Sequence, residues 1–219
     1  IRRCNRLIDQ YYREFDAKQI KLSEISLARI LSTHIPADNS LFLSNSMPIR
    51  DMDTFASSNG PALPIGANRG ASGIDGIVAS ACGFSDGLER DLTAVIGDLS
   101  FLHDMNSLAL TKSISNRTIF CVINNRGGGI FSFLPVNHDS ELFEAYFGTP
   151  HEFNFKHVAE MFGLKYYNPV SNAELIKDYR HALQKDRPAI IEINTDRAQN
   201  LELHRKIDRE IAELLRGDH

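Results

Sequence analysis

Five short apolar runs punctuate the chain, at 41–44 (LFLS), 63–67 (LPIGA), 92–97 (LTAVIG), 118–124 (TIFCVIN) and 189–194 (AIIEIN). Each is rich in β-branched or aromatic side chains and predicts a strand. The runs are apolar at successive rather than alternate positions, so both faces of each strand need cover, as in a mainly parallel sheet between helical layers. Between them, 73–86, 99–113, 155–162 and 172–185 carry helical spacing; in 99–113, Leu99, Leu102, Met105 and Ala109 share one face. The first 35 residues also read as helical, with Ser23 as the N-cap of an amphipathic stretch over 23–35. A last helix is expected over 200–217, ending at Gly217. The order predicts an α/β fold, a three-layer α/β/α sandwich over 37–219, preceded at 1–36 by a helical linker or leading helices.

Composition narrows the partners. The 219 residues are 42% hydrophobic and 24% charged, with a net charge of −4 and no basic stripe. Nucleic acid is therefore not an expected partner, and an anionic ligand must be met by a local arrangement. Cys4, Cys82 and Cys121 lack CxxC spacing, and the last two sit in apolar runs, which predicts reduced core thiols and a reducing, cytoplasmic setting. No stretch approaches the roughly 18 apolar residues of a membrane span, and the opening IRRCNRLIDQYYREF is too polar for a signal peptide. A start at Ile1 rather than Met suggests part of a longer protein.

Two strand ends carry the chemistry. In a parallel sheet, ligands gather beyond the C-terminal ends of the strands. Asp98 follows the strand ending at Gly97, and Asn125 follows the one ending near Asn124, one β-α-β crossover later. Adjacent strands lie about 4.8 Å apart, so two hard oxygen donors could meet one ion. One formal charge plus the Gly127 carbonyl suits Mg²⁺, which completes its octahedron with phosphate and water oxygens. A helix starting near Leu99 would aim its N–H groups at the same phosphate. A turn with an N-cap and a flexible glycine loop would produce the same letters.

Four longer stretches decide between these readings: SNSMPIRDMD at 44–53, NRGASGIDG at 68–76, GDLSFLHD at 97–104 and NNRGGGIFSFLP at 124–135. The Gly-Asp and Asn-Asn pairs resemble the thiamine diphosphate signature, and the four stretches together resemble the 2-succinyl-5-enolpyruvyl-6-hydroxy-3-cyclohexene-1-carboxylate synthase (MenD) family of menaquinone and phylloquinone biosynthesis. The resemblance covers about residues 38–195 and implies a thiamine diphosphate-binding fold. It implies that Asp98, Asn125 and the Gly127 carbonyl hold Mg²⁺ or Mn²⁺, while Leu99 and Ser100 meet the diphosphate. Asn45 and Ser46 are implied as cofactor contacts, Ser46 also as a substrate contact. Arg50 and Arg69 are implied as substrate arginines, suited to carboxylates by bidentate pairing. Ile74 matches the residue that props thiamine in its bent form, and Ile130 and Phe131 match the apolar wall beside the reacting centre.

The implied reaction is decarboxylation of 2-oxoglutarate and addition of the resulting succinyl-semialdehyde carbanion to isochorismate. The family's activating glutamate has no matching motif here. It is expected from a pyrimidine-binding domain of a second subunit, in a homodimer or homotetramer whose pyrimidine-binding and middle domains lie outside this chain. The isolated chain is accordingly expected to be inactive. Alternatives are an acetolactate synthase-like or other 2-oxoacid decarboxylase, or a non-catalytic thiamine diphosphate-binding module. A plastid location would apply in a photosynthetic eukaryote.

Overall fold

The structure, a computed structural model, describes residues 2–68, 73–138 and 140–216. Among these residues six strands form one sheet: β1 (Ser40–Leu43), β2 (Ile65–Ala67), β3 (Leu92–Gly97), β4 (Thr118–Asn124), β5 (Lys165–Tyr167) and β6 (Ala189–Asn194). Their order is β2-β1-β3-β4-β6-β5 and every neighbouring pair is parallel. The helices are α1 (Arg2–Lys18), α2 (Glu24–His34), α3 (Met47–Phe55), α4 (Ile77–Leu88), α5 (Asp98–Asp104), α6 (Ser140–Phe143), α7 (Lys156–Phe162), α8 (Asn172–Leu183) and α9 (Arg197–Arg216).

The continuous apolar runs divide their side chains between the two faces, as the two-residue period of a strand requires. On β4, Ile119, Cys121 and Ile123 enter a core with α2, α3, α8 and α9, whereas Phe120 and Val122 enter a second core with α4, α5 and α7. Three layers result. Burial pushes the Cys82 thiol up to about 11 and the Cys121 thiol up to about 12, and both are unpaired. Leading helix α2 belongs to the first core: Ile25, Leu27 and Leu31 are almost fully buried there. No helix among the described residues is long and apolar enough to cross a membrane.

Some expectations need correcting. β2 starts at Ile65 rather than 63, and Ile65 is exposed because this is an edge strand. The 99–113 stretch is α5 followed by a 3₁₀ helix over Met105–Lys112. Its buried stripe is Phe101, Asp104, Leu108 and Thr111, still at helical spacing, whereas Leu99 and Leu102 are only half-buried and Met105 and Ala109 are exposed on the neighbouring face. Buried Asp104 accepts from the Ala79 N–H at 3.0 Å, tying α5 to α4. Helix α3 and strand β5 had no counterpart in the apolar pattern. Ser23 does cap α2, in a full capping box with Ser26. Gly217 lies outside the described residues.

Candidate functional site

At the C-terminal edge of β1, β3 and β4, the connections change direction. β1 leads outward to β2, whereas β3 leads through α5 to β4 on the other side. The register pairs Leu43 with Val95 and Gly97 with Ile123, which sets the residues after these three strands side by side. A cavity of about 290 Å³ opens there. Asn45, Ser46 and Arg50 line it after β1; Asp98, Leu99 and Ser100 after β3; Asn125, Gly127, Ile130 and Phe131 after β4. Ile74 closes one side, and Glu24 of α2 another. Eleven of the twelve residues singled out from sequence therefore share one cavity. The twelfth, Arg69, lies outside the described residues.

Asp98 is 2% exposed. Its Oδ1 accepts from the Leu99 N–H at 2.7 Å and its Oδ2 from the Gly127 N–H at 3.0 Å. Burial raises its carboxyl above the usual carboxylate range, against the opposing pull of the Gly127 and Leu99 N–H groups and of His151. His151 Nε2 stands 3.2 Å from Oδ2, at ion-pair distance but off the line of a hydrogen bond, and the imidazole stacks on Phe153. The Leu99 N–H, expected to face a phosphate, is thus already engaged by Asp98.

The two asparagines after β4 diverge. Asn124 Nδ2 donates to buried Glu192 at 2.7 Å and to the Phe153 carbonyl at 2.9 Å, which fixes the strand end. Asn125 Nδ2 donates to Glu24 Oε1 at 3.0 Å, leaving its Oδ1 buried without a partner. The glycines that follow are there for space. Gly127 has φ 144°, and a Cβ on it would lie 2.1 Å from the Gly148 carbonyl oxygen; a Cβ on Gly129 would lie 2.5 Å from Asn125 Nδ2. The Gly127 carbonyl accepts from the Gly129 N–H at 2.9 Å, which leaves it one lone pair.

After β1, Ser46 takes φ 69°, uncommon for a non-glycine residue, and its hydroxyl does not cap α3. Its carbonyl accepts from Arg50 Nη1 at 2.5 Å, which folds the guanidinium back to the cavity rim. Asn45 Nδ2 donates to the Gly73 carbonyl at 2.5 Å, and its Oδ1 is buried without a partner. Ile74 is 40% exposed at the mouth, and Phe131 meets Phe147 edge-on.

Sequence reasoning missed Glu24. It is 1% exposed, and its Oε1 accepts from Asn125 Nδ2 and from Thr195 Oγ1, each at 3.0 Å, while Oε2 is unpartnered. Burial first, then the Asp51 charge, push its carboxyl up to about 7, against the Asn125 and Thr195 hydrogen bonds and the His204 charge. Its only local mark is an acidic residue in the first turn of a helix, which is commonplace. His151 was missed as well, since a lone histidine in a loop carries no spacing. The cavity thus offers a carboxylate, buried amide oxygens and a free carbonyl lone pair beside apolar walls, a hard-oxygen set suited to a small divalent cation.

Comparison with known proteins agrees with this chemistry. The family model described as "Thiamine pyrophosphate enzyme, C-terminal TPP binding domain" matches residues 55–193. The chain is 48% identical over 209 residues to 2-succinyl-5-enolpyruvyl-6-hydroxy-3-cyclohexene-1-carboxylate synthase of Prosthecochloris aestuarii, covering 95% of this chain and 36% of that protein. It is 51% identical over 196 residues to the Rubrobacter xylanophilus synthase of the same name, covering 90% of this chain and 33% of that one. The chain thus spans about a third of the length of these curated relatives. A solved Mycobacterium smegmatis protein assigned as thiamin diphosphate-dependent shares the fold, with a TM-score of 0.64, 22% identity, and 82% of this chain and 33% of that one covered. The matched model runs from the end of α3 to β6 and takes in both the Gly-Asp and the Asn-Asn strand ends, so the chain belongs to the family of thiamine pyrophosphate enzyme C-terminal, TPP-binding domains.

Proposed function

We propose that this chain is the diphosphate- and metal-binding part of a 2-succinyl-5-enolpyruvyl-6-hydroxy-3-cyclohexene-1-carboxylate synthase. On this reading the complete protein decarboxylates 2-oxoglutarate and joins the remaining four-carbon unit to isochorismate. The observation that carries it is the buried, unpartnered Asn125 Oδ1 in one cavity with Asp98 and Gly127. An amide oxygen buried without a partner costs about 1–3 kcal/mol, a penalty that a bound cation would remove. The names of the relatives at 48% and 51% identity supply the substrate class.

Thiamine diphosphate, when bound, supplies the electron sink for decarboxylation and carbon–carbon bond formation. Asp98, Asn125 and the second lone pair of the Gly127 carbonyl would hold Mg²⁺ or Mn²⁺, with Ser100 beside the diphosphate. Asn45 Oδ1 and Ser46 would orient the cofactor, Ser46 also contacting substrate, and Ile74 would hold the thiamine bent. Ile130 and Phe131 keep water from the reacting carbon. Arg50, and Arg69 outside the described residues, would receive substrate carboxylates. Asp98 keeps its charge in place through two backbone N–H groups, so it can meet a cation without reorganising.

The residues beyond 37–219 in the relatives would comprise the middle and pyrimidine-binding domains. The latter supplies the activating glutamate across the interface of a homodimer or homotetramer in the cytoplasm. An assay of the complete protein tests the reading: 2-oxoglutarate with isochorismate should yield carbon dioxide and the joined product, whereas pyruvate alone should not turn over. Turnover of pyruvate to acetolactate, with none of 2-oxoglutarate, would overturn it.

A further inference from the structure

Asparagine is an ambivalent metal ligand, because its carboxamide can turn either an oxygen or a nitrogen toward an ion. Something must choose. We propose that Glu24 is the positioning residue that chooses: it takes the Asn125 N–H, so that Oδ1 is the atom presented to the cation. This rests on the metal-site reading given above.

Glu24 Oε1 is 3.0 Å from Asn125 Nδ2, and the Thr195 hydroxyl donates to the same oxygen at 3.0 Å, so the acceptor is itself held. Oε1 accepts here whether the carboxyl is ionised or carries its proton on the unpartnered Oε2, so it admits the amide nitrogen and repels the amide oxygen. The opposite edge of the carboxamide is then Oδ1, which is buried and unpartnered. Gly129 leaves the space that the amide group occupies.

The carboxylate is anchored from a distant part of the sequence. Ser23 Oγ accepts from the Ser26 N–H at 3.0 Å, Ser26 Oγ accepts from the Ser23 N–H at 2.9 Å, and Ser26 Oγ donates to Asn172 Oδ1 at 2.8 Å. These bonds pin the first turn of α2 to the start of α8, and Glu24 is the first residue of that turn. The positive end of the helix favours its charge there. A second carboxyl group consequently stands behind Asn125, outside a ligand set that contains a single carboxylate. The segment before β1 is thereby part of the site.

The test is calorimetric Mg²⁺ titration of the complete protein in the presence of thiamine diphosphate, so catalytic activity is not the readout. Glu24→Ala should weaken Mg²⁺ binding about 10- to 100-fold, as loss of a partner behind a metal ligand typically does, whereas Glu24→Gln, which keeps an accepting oxygen, should stay within about threefold. Asp98→Ala is the control, and it should abolish binding. If Asp98→Ala binds like the parent, the metal-site reading itself fails. If Asp98→Ala loses binding while folded Glu24→Ala retains it, or if Glu24→Gln falls as far as Glu24→Ala, the positioning role alone is overturned. Should Glu24→Ala not fold, Asn125→Asp provides the second route. It sets two carboxylates in contact and should weaken Mg²⁺ binding, and adding Glu24→Gln should restore it; no restoration overturns the proposal.

Discussion

Asn124 and Asn125 are adjacent, identical in chemistry and opposite in consequence. Asn124 satisfies Glu192, which also accepts from the Phe155 N–H at 2.9 Å and the Tyr166 hydroxyl at 2.7 Å. Asn124→Ala should therefore cost about 1–3 kcal/mol in urea denaturation, the penalty of stranding a buried acceptor. Asn125→Ala should leave metal-free stability nearly unchanged and lose Mg²⁺ binding by calorimetry; the reverse pattern would exchange their roles. Gly129→Ala should also weaken Mg²⁺ binding, because the added Cβ would occupy the place of the Asn125 amide. The sequence marked this residue set because Gly-Asp and Asn-Asn end two consecutive strands. That Asn125 rather than Asn124 faces the cavity was legible from its place just past the strand end, whereas the partners that hold the two side chains apart, 68 and 101 positions away, were not.

Among the elements, those with long, periodic apolar patterns were legible and those shaped by tertiary contacts were not. β4 and β6 read directly, because a central parallel strand is apolar at every position. Helix α3 was hidden inside MPIRDMDTF, whose Pro48 fits a first helical turn but whose charges obscure an apolar stripe. Strand β5 has three residues and lies at an edge, too short for any period. At the start of α2, the Ser23 cap was legible, yet the carboxylate it delivers was not. Ser23→Ala should cost about 1 kcal/mol of stability, measured by thermal or urea melts, through loss of the capping box. A change near zero would mean that burial alone fixes this helix start.

Across the whole molecule, one buried pair joins the last helix to α3, the helix that brings Arg50 to the cavity. His204 of α9 places Nδ1 2.8 Å from the Asn200 carbonyl and Nε2 2.9 Å from Asp51 of α3. A carbonyl and an ionised carboxylate can only accept, so both ring nitrogens carry protons. The ring also packs edge-on against Phe55 and Phe133, linking α3 to the loop that bears Ile130 and Phe131. Burial alone would lower the His204 pKa, but the Asp51 hydrogen bond and charge outweigh it and raise it above 6.5. A raised value means that the protonated form is favoured by folding, so this stability is full below about pH 6.5 and is lost as pH rises through the folded value. Glu24, raised from 4.5 to about 7, acts in the same direction at lower pH. The metal-free protein should therefore melt at progressively lower temperature as pH rises above about 6.5, and His204→Gln should flatten that slope; an unchanged slope would remove His204 as its source. On the proposed function, Asp98, Asn125 and Gly127 grip one cation. Its most direct measurement is a crystal structure of the complete protein with thiamine diphosphate and Mn²⁺, located by anomalous scattering. One peak is expected, about 2–2.3 Å from an Asp98 carboxylate oxygen, Asn125 Oδ1 and the Gly127 carbonyl oxygen. A cofactor-bound structure with Mn²⁺ away from all three would contradict it.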